Sequence, residues 1–218
     1  MRLDPRVERG TRAMLELRAA TLADGARPLG WKLGFGAPAA FELLRTDRPL
    51  VGFLTDRGLI EDGATVPVGA WTNPMLEPEI AAFIGDDGAI AGLSAAIELA
   101  DVDVAPADPE AILAGNIYHR HVMLGPVDSS RTDGAGIGAR LVRGGEVAAE
   151  TDDPAALTGD IVDVVRLTGE LLAACGEQLR AGDVVITGSA VAPLSVGPGD
   201  AVTAELGPLG SLTVTLAM

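Results

Sequence analysis

Apolar and polar positions change period several times along the chain, and each change predicts an element. Residues 5–22 have helical composition, with Leu15, Leu17 and Leu22 set among Arg and Ala, and Asp24-Gly25 supplies the stop. Residues 30–35 and 51–54 then read as short strands, separated by a helix that Pro38 opens and Arg45 closes. An apolar strand over 79–84 ends in Gly85-Asp86-Asp87-Gly88, which is turn chemistry, and a further strand covers about 94–105. Asp108-Pro109 predicts a helix start, with Asp as N-cap and Pro at the first helical position. Residues 139–150 have the pattern of a hairpin turning at Gly144-Gly145. The clearest helical period opens at Asp153-Pro154, runs through Ile161, Val164, Val165, Leu167, Leu171 and Leu172, and ends at Gly176. Four short strands close the chain, over about 183–187, 191–196, 201–205 and 211–216. A β-rich chain with scattered helices, lacking a βαβ alternation, points to an α+β fold built on a curled sheet or open barrel.

Composition narrows the function classes. At 218 residues the chain suits one substantial core. A net charge of -15 and a pI near 4.4, without a basic stripe carrying interleaved aromatics, argue against nucleic acid as a partner. Mean hydropathy is +0.30, yet no apolar run approaches the roughly 18 residues that a membrane helix requires. The first ten residues carry Arg2, Asp4, Arg6, Glu8 and Arg9 and do not read as a signal peptide, so a cytoplasmic location is expected, without membrane contact. The single cysteine, Cys175, excludes an internal disulfide and reads as an inert thiol in an apolar helical stretch.

Against this background one cation stands out. Of 16 Lys and Arg residues only Lys32 is a lysine, and it lies in the apolar, glycine-punctuated run Gly30-Trp31-Lys32-Leu33-Gly34. An ammonium is a compact donor able to hand over a proton, whereas Arg is built for bidentate pairing. Either Lys32 packs its stem under Trp31 and reaches water, or it is buried for chemistry. A second anchor is Leu76-Glu77-Pro78-Glu79-Ile80, where Pro78 favours extended geometry and places Glu77 and Glu79 on one strand face. Such a pair sits at a solvated strand mouth or needs a compensating cation. Glu98 interrupts the apolar segment around Ile97 and Leu99, as an exposed strand end or as a third converging acid. Three converging carboxylates suit Mg2+ or Mn2+, hard cations that take oxygen ligands and keep positions open.

Together these residues resemble the 2-oxo-alkenoate hydratase and decarboxylase group of the fumarylacetoacetate hydrolase superfamily. The resemblance runs from about Gly30 to the end. It is carried by Gly30-Trp31-Lys32-Leu33-Gly34, Asp47-Arg48-Pro49, Gly52-Phe53-Leu54-Thr55-Asp56, Leu76-Glu77-Pro78-Glu79-Ile80-Ala81, Ile97-Glu98-Leu99-Ala100-Asp101, Thr187-Gly188-Ser189 and Leu206-Gly207-Pro208-Leu209-Gly210-Ser211. It implies a β-rich roll or distorted open barrel with peripheral helices, in which a short helical segment over 1–29 precedes a metal-dependent catalytic domain over 30–218. It also implies a homo-oligomer, Glu77, Glu79 and Glu98 as ligands of Mg2+ or Mn2+, Lys32 as the catalytic lysine, and Leu50, Asn116 and Ser189 against the substrate. Ser189 reads equally well as a structural turn.

A 2-oxo acid chelates a divalent cation through its carboxylate and keto oxygens, so an enolate or dienolate formed from it is stabilised. Decarboxylation of a 2-oxo-3-enedioate is the leading expectation, because the Glu-Pro-Glu form and Gly52-Phe53-Leu54-Thr55-Asp56 are closer to the decarboxylases. Leu50 also stands where the hydratases typically place an acidic residue. Hydration of a 2-hydroxydienoate is the alternative; a homologue that binds a 2-oxo acid without turnover, or assembles with another enzyme of the same pathway, is a different class. Both histidines, His119 and His121, follow the metal motif, which disfavours the Glu-His hydrolysis of the hydrolase branches. At i and i+2 of one strand the two imidazoles would share a face, as a zinc pair lacking a third ligand or as structural or substrate-contacting groups.

Overall fold

The computed structural model describes residues 3–218. Helix α1 (Pro5–Ala23) begins where Asp4 accepts from the Arg6 backbone N–H at 2.8 Å, and Gly25 follows its end at φ 90°. It leads into strand β1 (Pro28–Gly34), helix α2 (Pro38–Leu44), and strands β2 (Leu50–Thr55), β3 (Leu59–Ile60) and β4 (Thr65–Pro67). Two long central strands follow, β5 (Pro74–Ile84) and β6 (Ile90–Asp101), then helix α3 (Pro109–Ala114) and strand β7 (His119–Leu124). The hairpin β8 (Ala139–Arg143) and β9 (Glu146–Thr151) turns at Gly144-Gly145 as the pattern requires. Helices α4 (Ala155–Thr158) and α5 (Ile161–Ala174) precede strands β10 (Val184–Ser189), β11 (Leu194–Ser195), β12 (Ala201–Glu205) and β13 (Ser211–Ala217).

The strands form two mixed sheets. One has the order β2-β1-β10-β5-β6-β7-β3, with β11 also on β5; the other has the order β4-β13-β12-β8-β9. Their facing apolar side chains make the main core, in which Leu76, Ile80, Ile97, Leu99 and Met123 of the first sheet meet Leu141, Val202, Leu212 and Val214 of the second. The first sheet curls into a half-barrel. Its inner face carries Leu54, Ala81, Ala96, Val122, Val184 and Ile186, and two of these positions are the small residue Ala, leaving room at the centre of the curl. Helix α1 lies outside, against α3 and β2, and Arg9 binds Glu110 of α3 at 2.7 Å.

Several expected boundaries move. The helix expected to run unbroken from Asp153-Pro154 is two: Gly159 adopts φ 86°, and Asp160 caps α5 by accepting from the N–H of Val162 at 2.9 Å. The strand expected to reach 105 stops at Asp101, whose carboxylate accepts from the N–H groups of Thr72 and Asn73. Of 191–196 only Leu194–Ser195 enters the ladder. Strand β5 begins five residues before the expected 79, at Pro74, so both acids of the Glu-Pro-Glu run lie within it.

Proline inside a long central strand requires a reason, because it cannot donate to the ladder. The carbonyl of Pro78 accepts from Ala190 N–H, which places its N side toward that same neighbour. There β10 has ended at Ser189 and β11 has not begun, so no ladder bond is lost. Pro78 thus marks the gap in the sheet out of which the segment 190–193 departs.

Candidate metal and substrate site

The register of the first sheet determines which polar side chains meet. Lys32 pairs with Ile186 and with Gly52, Ile186 pairs with Ala81, Glu79 with Ala96, and Glu77 stands directly opposite Glu98. With a side-chain period of two, Lys32, Glu77, Glu79 and Glu98 all point into the curl. One ligand oxygen from each of the three glutamates lies within 4.8 Å of the others. Lys32, Glu79 and Glu98 are 3, 0 and 1% exposed, so the buried, not the solvated, alternative holds for each. Gly52 makes the approach possible: a Cβ there would lie 2.8 Å from Asn116 Oδ1 and 3.0 Å from Lys32 Cγ.

Each carboxylate has a different balance of forces. Burial pushes Glu77 up to about 7, helped by the charge of Glu98 and opposed by Lys32. Burial also drives Glu79 well above the usual carboxylate range, with Glu98 and Glu77 adding to it. Burial acts the same way on Glu98, but the Lys32 charge and the His119 contact outweigh it and hold that carboxyl down at about 2. Lys32 Nζ donates to Glu98 Oε1 and, at 3.1 Å, to the Ile117 carbonyl. That carbonyl is aimed by unusual backbone: Asn116, Ile117 and Tyr118 have φ values of 56, 52 and 62°. Left-handed geometry costs roughly 1–2 kcal/mol per non-glycine residue, and least for Asn. The Asn116 side chain holds the turn by bracketing edge strand β2, accepting from Phe53 N–H at 2.8 Å and donating to Phe53 O at 3.0 Å.

These residues fit a divalent cation. Glu79 Oε1 and Glu98 Oε2 are buried without a hydrogen-bond partner, whereas Glu79 Oε2 accepts from Gly188 N–H at 2.7 Å. Buried carboxylate oxygens left without a donor are costly unless they coordinate. Three ionised carboxylates facing one ammonium leave two negative charges in excess, which a divalent cation would neutralise.

A cavity of about 430 Å³ opens beside Lys32 and Glu77. Its walls are largely apolar, from Leu33, Phe35, Ala40, Met75, Val102, Leu157, Val191 and Pro193, with Thr158, Thr187, Ser189 and Tyr118 adding hydroxyls. Ser189 lines the cavity, and its Oγ donates to Val191 O at 2.7 Å within its own turn. Two expected substrate contacts are placed elsewhere. Leu50 is 1% exposed and packs with Leu44, Ile112 and Leu113 behind the cavity wall. Asn116 is not in the lining, and its amide serves Phe53.

The two histidines do not share a face. Leu99 pairs with His121 but Ala100 with His119, so Arg120 is an extra residue in β7 and the register shifts there. His119 Nδ1 consequently reaches Glu98 Oε1 at 2.7 Å, whereas His121 points to the other face and stacks on Trp71 with centroids 6.0 Å apart. This removes the zinc pair. The contribution of His119 was not legible from spacing, because a bulge leaves no mark in a period-two pattern.

Curled mixed sheets, peripheral helices and an acidic centre beside an apolar cavity define a class. The chain belongs to the fumarylacetoacetate (FAA) hydrolase C-terminal family, whose model matches residues 39–217. Among its relatives, a 4-oxalocrotonate decarboxylase of a Pseudomonas species is 27% identical over 211 residues, covering 90% of this chain and 82% of that protein. A 2-keto-4-pentenoate hydratase of Dechloromonas aromatica is 28% identical over 214 residues, covering 91 and 81%. The solved 4-oxalocrotonate decarboxylase from Pseudomonas putida G7, complexed with magnesium and adipate, superposes with a TM-score of 0.86 at 26% identity, covering 95% of this chain and 84% of that one. The α+β roll expected from the sequence is thereby established. No helix among the described residues is long and apolar enough to cross a membrane.

Proposed function

We propose that the protein is a metal-dependent lyase acting on a small 2-oxo-alkenoic acid, with decarboxylation of a 2-oxo-3-enedioate as its reaction. The observation that carries this reading is the convergence of three carboxylates, Glu79 and Glu98 buried and Glu77 half-buried, and the only lysine at one end of an otherwise apolar cavity. Glu77, Glu79 and Glu98 would hold Mg2+ or Mn2+. When bound, such a cation supplies a Lewis-acid anchor for the carboxylate and keto oxygens of a 2-oxo acid and stabilises charge developing on the keto oxygen. The names and metal-bound structure of the relatives support both the reaction class and the cation.

The chain's own residues then have distinct tasks. Lys32, the only cation among the described residues that line the cavity, holds or delivers a proton at Nζ. Leu33, Phe35, Met75 and Val102 exclude water around the carbon chain. An apolar wall disfavours a carboxylate far more than neutral carbon dioxide, which assists loss of the far carboxyl group. The lining hydroxyls each donate to a backbone carbonyl: Thr187 to Ile80 O, Ser189 to Val191 O, Tyr118 to Val104 O and Thr158 to Pro154 O. Toward the cavity these hydroxyls therefore present acceptor lone pairs and no free proton.

Hydration of a 2-hydroxydienoate is the second reading, favoured by the hydratase relative at 28% identity. Product analysis by NMR with each substrate and Mg2+ separates the two. Release of carbon dioxide from the dioate is expected; rapid formation of a 4-hydroxy-2-oxo acid from the dienoate, with the dioate untouched, would reverse the assignment. The homo-oligomer implied by the family resemblance belongs to the same proposal, and light scattering of the purified protein tests it.

A further inference from the structure

Strand β7 carries a device that the three-carboxylate site does not by itself require. The extra residue Arg120 is held outside the ladder by Asp103 at 3.1 Å and Asp101 at 3.6 Å. Its effect is to turn His119 alone into the curl, and bulges of this kind re-aim side chains beside active sites. The ring is received by Gly58, where a Cβ would lie 3.0 Å from His119 Nε2. Its Nδ1 meets the same Glu98 oxygen, Oε1, that Lys32 meets, while Oε2 has no partner. Glu79 shows the same division, with Oε2 held by Gly188 N–H and Oε1 left without a partner. Two of the three carboxylates thus have one oxygen fixed by protein donors and the other presented to the centre.

We propose that His119 is the positioning residue of Glu98: it fixes Oε1 so that Oε2 is presented as a single oxygen ligand, and it keeps doing so when Lys32 turns toward substrate. Lys32 alone could not satisfy both demands, because an ammonium that moves to a substrate oxygen releases the carboxylate it was holding. The inference rests on the metal-site part of the function proposed above and extends it to a residue outside the ligand set and outside the cavity lining.

The test is Mn2+ binding by titration calorimetry on the intact protein, compared across His119→Leu, His119→Gln and His119→Asn, with thermal unfolding of each without metal. Asn carries its amide nitrogen on the same carbon as the imidazole Nδ1, so it can keep the donor to Oε1; Leu cannot, and Gln extends past it. Loss of an orienting contact of this kind weakens metal affinity by about ten- to a hundredfold. That loss is expected in His119→Leu and His119→Gln, with affinity restored to within about threefold in His119→Asn. Equal Mn2+ affinity in all variants, or equal loss in all three that follows their metal-free unfolding temperatures, would overturn the positioning role. Absence of Mn2+ binding by the wild-type protein would instead overturn the metal site itself, so the two failures are separable. If His119→Leu does not fold, Gly58→Val, which crowds the ring from the other side, supplies the same comparison: unchanged affinity there overturns the proposal.

Discussion

Lys32 shows how much a single side chain can be asked to do at this site. It is 3% exposed, donates to Glu98 and to the Ile117 carbonyl, and stands on the same face as the three acids. If it served only as a counter-charge, Arg would replace it, since both are cationic on long apolar stems. If a compact ammonium must hold or deliver a proton, the planar guanidinium fails. Both Lys32→Arg and Lys32→Ala are therefore expected to lose turnover by about two orders of magnitude or more, with far smaller changes in metal affinity. Steady-state rates at saturating Mg2+ across a pH series check this, and near wild-type turnover in Lys32→Arg would make Lys32 structural.

The turn between α3 and β7 joins strand geometry to the site. Asn116 gives its side-chain carbonyl and amide to the backbone of Phe53, closing the curl between edge strand β2 and the segment that aims Ile117 O at Lys32. Asn116→Ala would leave the buried Phe53 N–H and C=O unpaired, at roughly 1–3 kcal/mol. Urea unfolding should show that loss, and kcat should fall more than substrate KM rises, because Asn116 acts through Lys32. A large rise in KM with stability unchanged would restore Asn116 as a substrate contact. The same segment shows where element-scale reading stops. Capping residues and turn dipeptides located α1, α3 and the β8–β9 hairpin, but three consecutive left-handed residues without a glycine, and the bulge at Arg120, carry no local signature.

At the scale of the whole molecule, the acidic centre couples folding to pH and to metal. Glu77 is raised from an ordinary 4.5 to about 7, so between these values the folded chain holds a proton that the unfolded chain has lost. Its stabilising contribution is full below 4.5 and disappears as pH rises through about 7; Glu79 acts in the same direction. Glu98, held at about 2, contributes above 4.5 and loses that contribution as pH falls toward 2. The metal-free protein is therefore expected to become less stable from about pH 5 to about pH 8. Mg2+ or Mn2+, which requires ionised ligands, should raise the unfolding temperature more at the higher pH. Differential scanning calorimetry at both pH values, with and without metal, measures this; a metal effect independent of pH would contradict it.

The sequence by itself determined the ingredients. Period-two and helical patterns, capping residues and turn dipeptides located most elements, because those signals act over a few neighbouring residues. One lysine among arginines and acids inside apolar runs singled out Lys32, Glu77, Glu79 and Glu98, because an unpaired charge is costly in such a setting, while solvated alternatives stayed open and their roles came only from the family resemblance. Only the tertiary structure decided how they meet: Glu77 opposite Glu98, Lys32 two strands away on the same face, and the gap at Pro78 through which residues 190–193 leave the sheet to wall the cavity. It also moved Leu50 behind that wall, gave Asn116 to Phe53, and separated His119 from His121. These outcomes depend on strand register, a bulge and the curl of the sheet, which are properties of pairings between residues far apart in the chain and leave no mark on either partner alone.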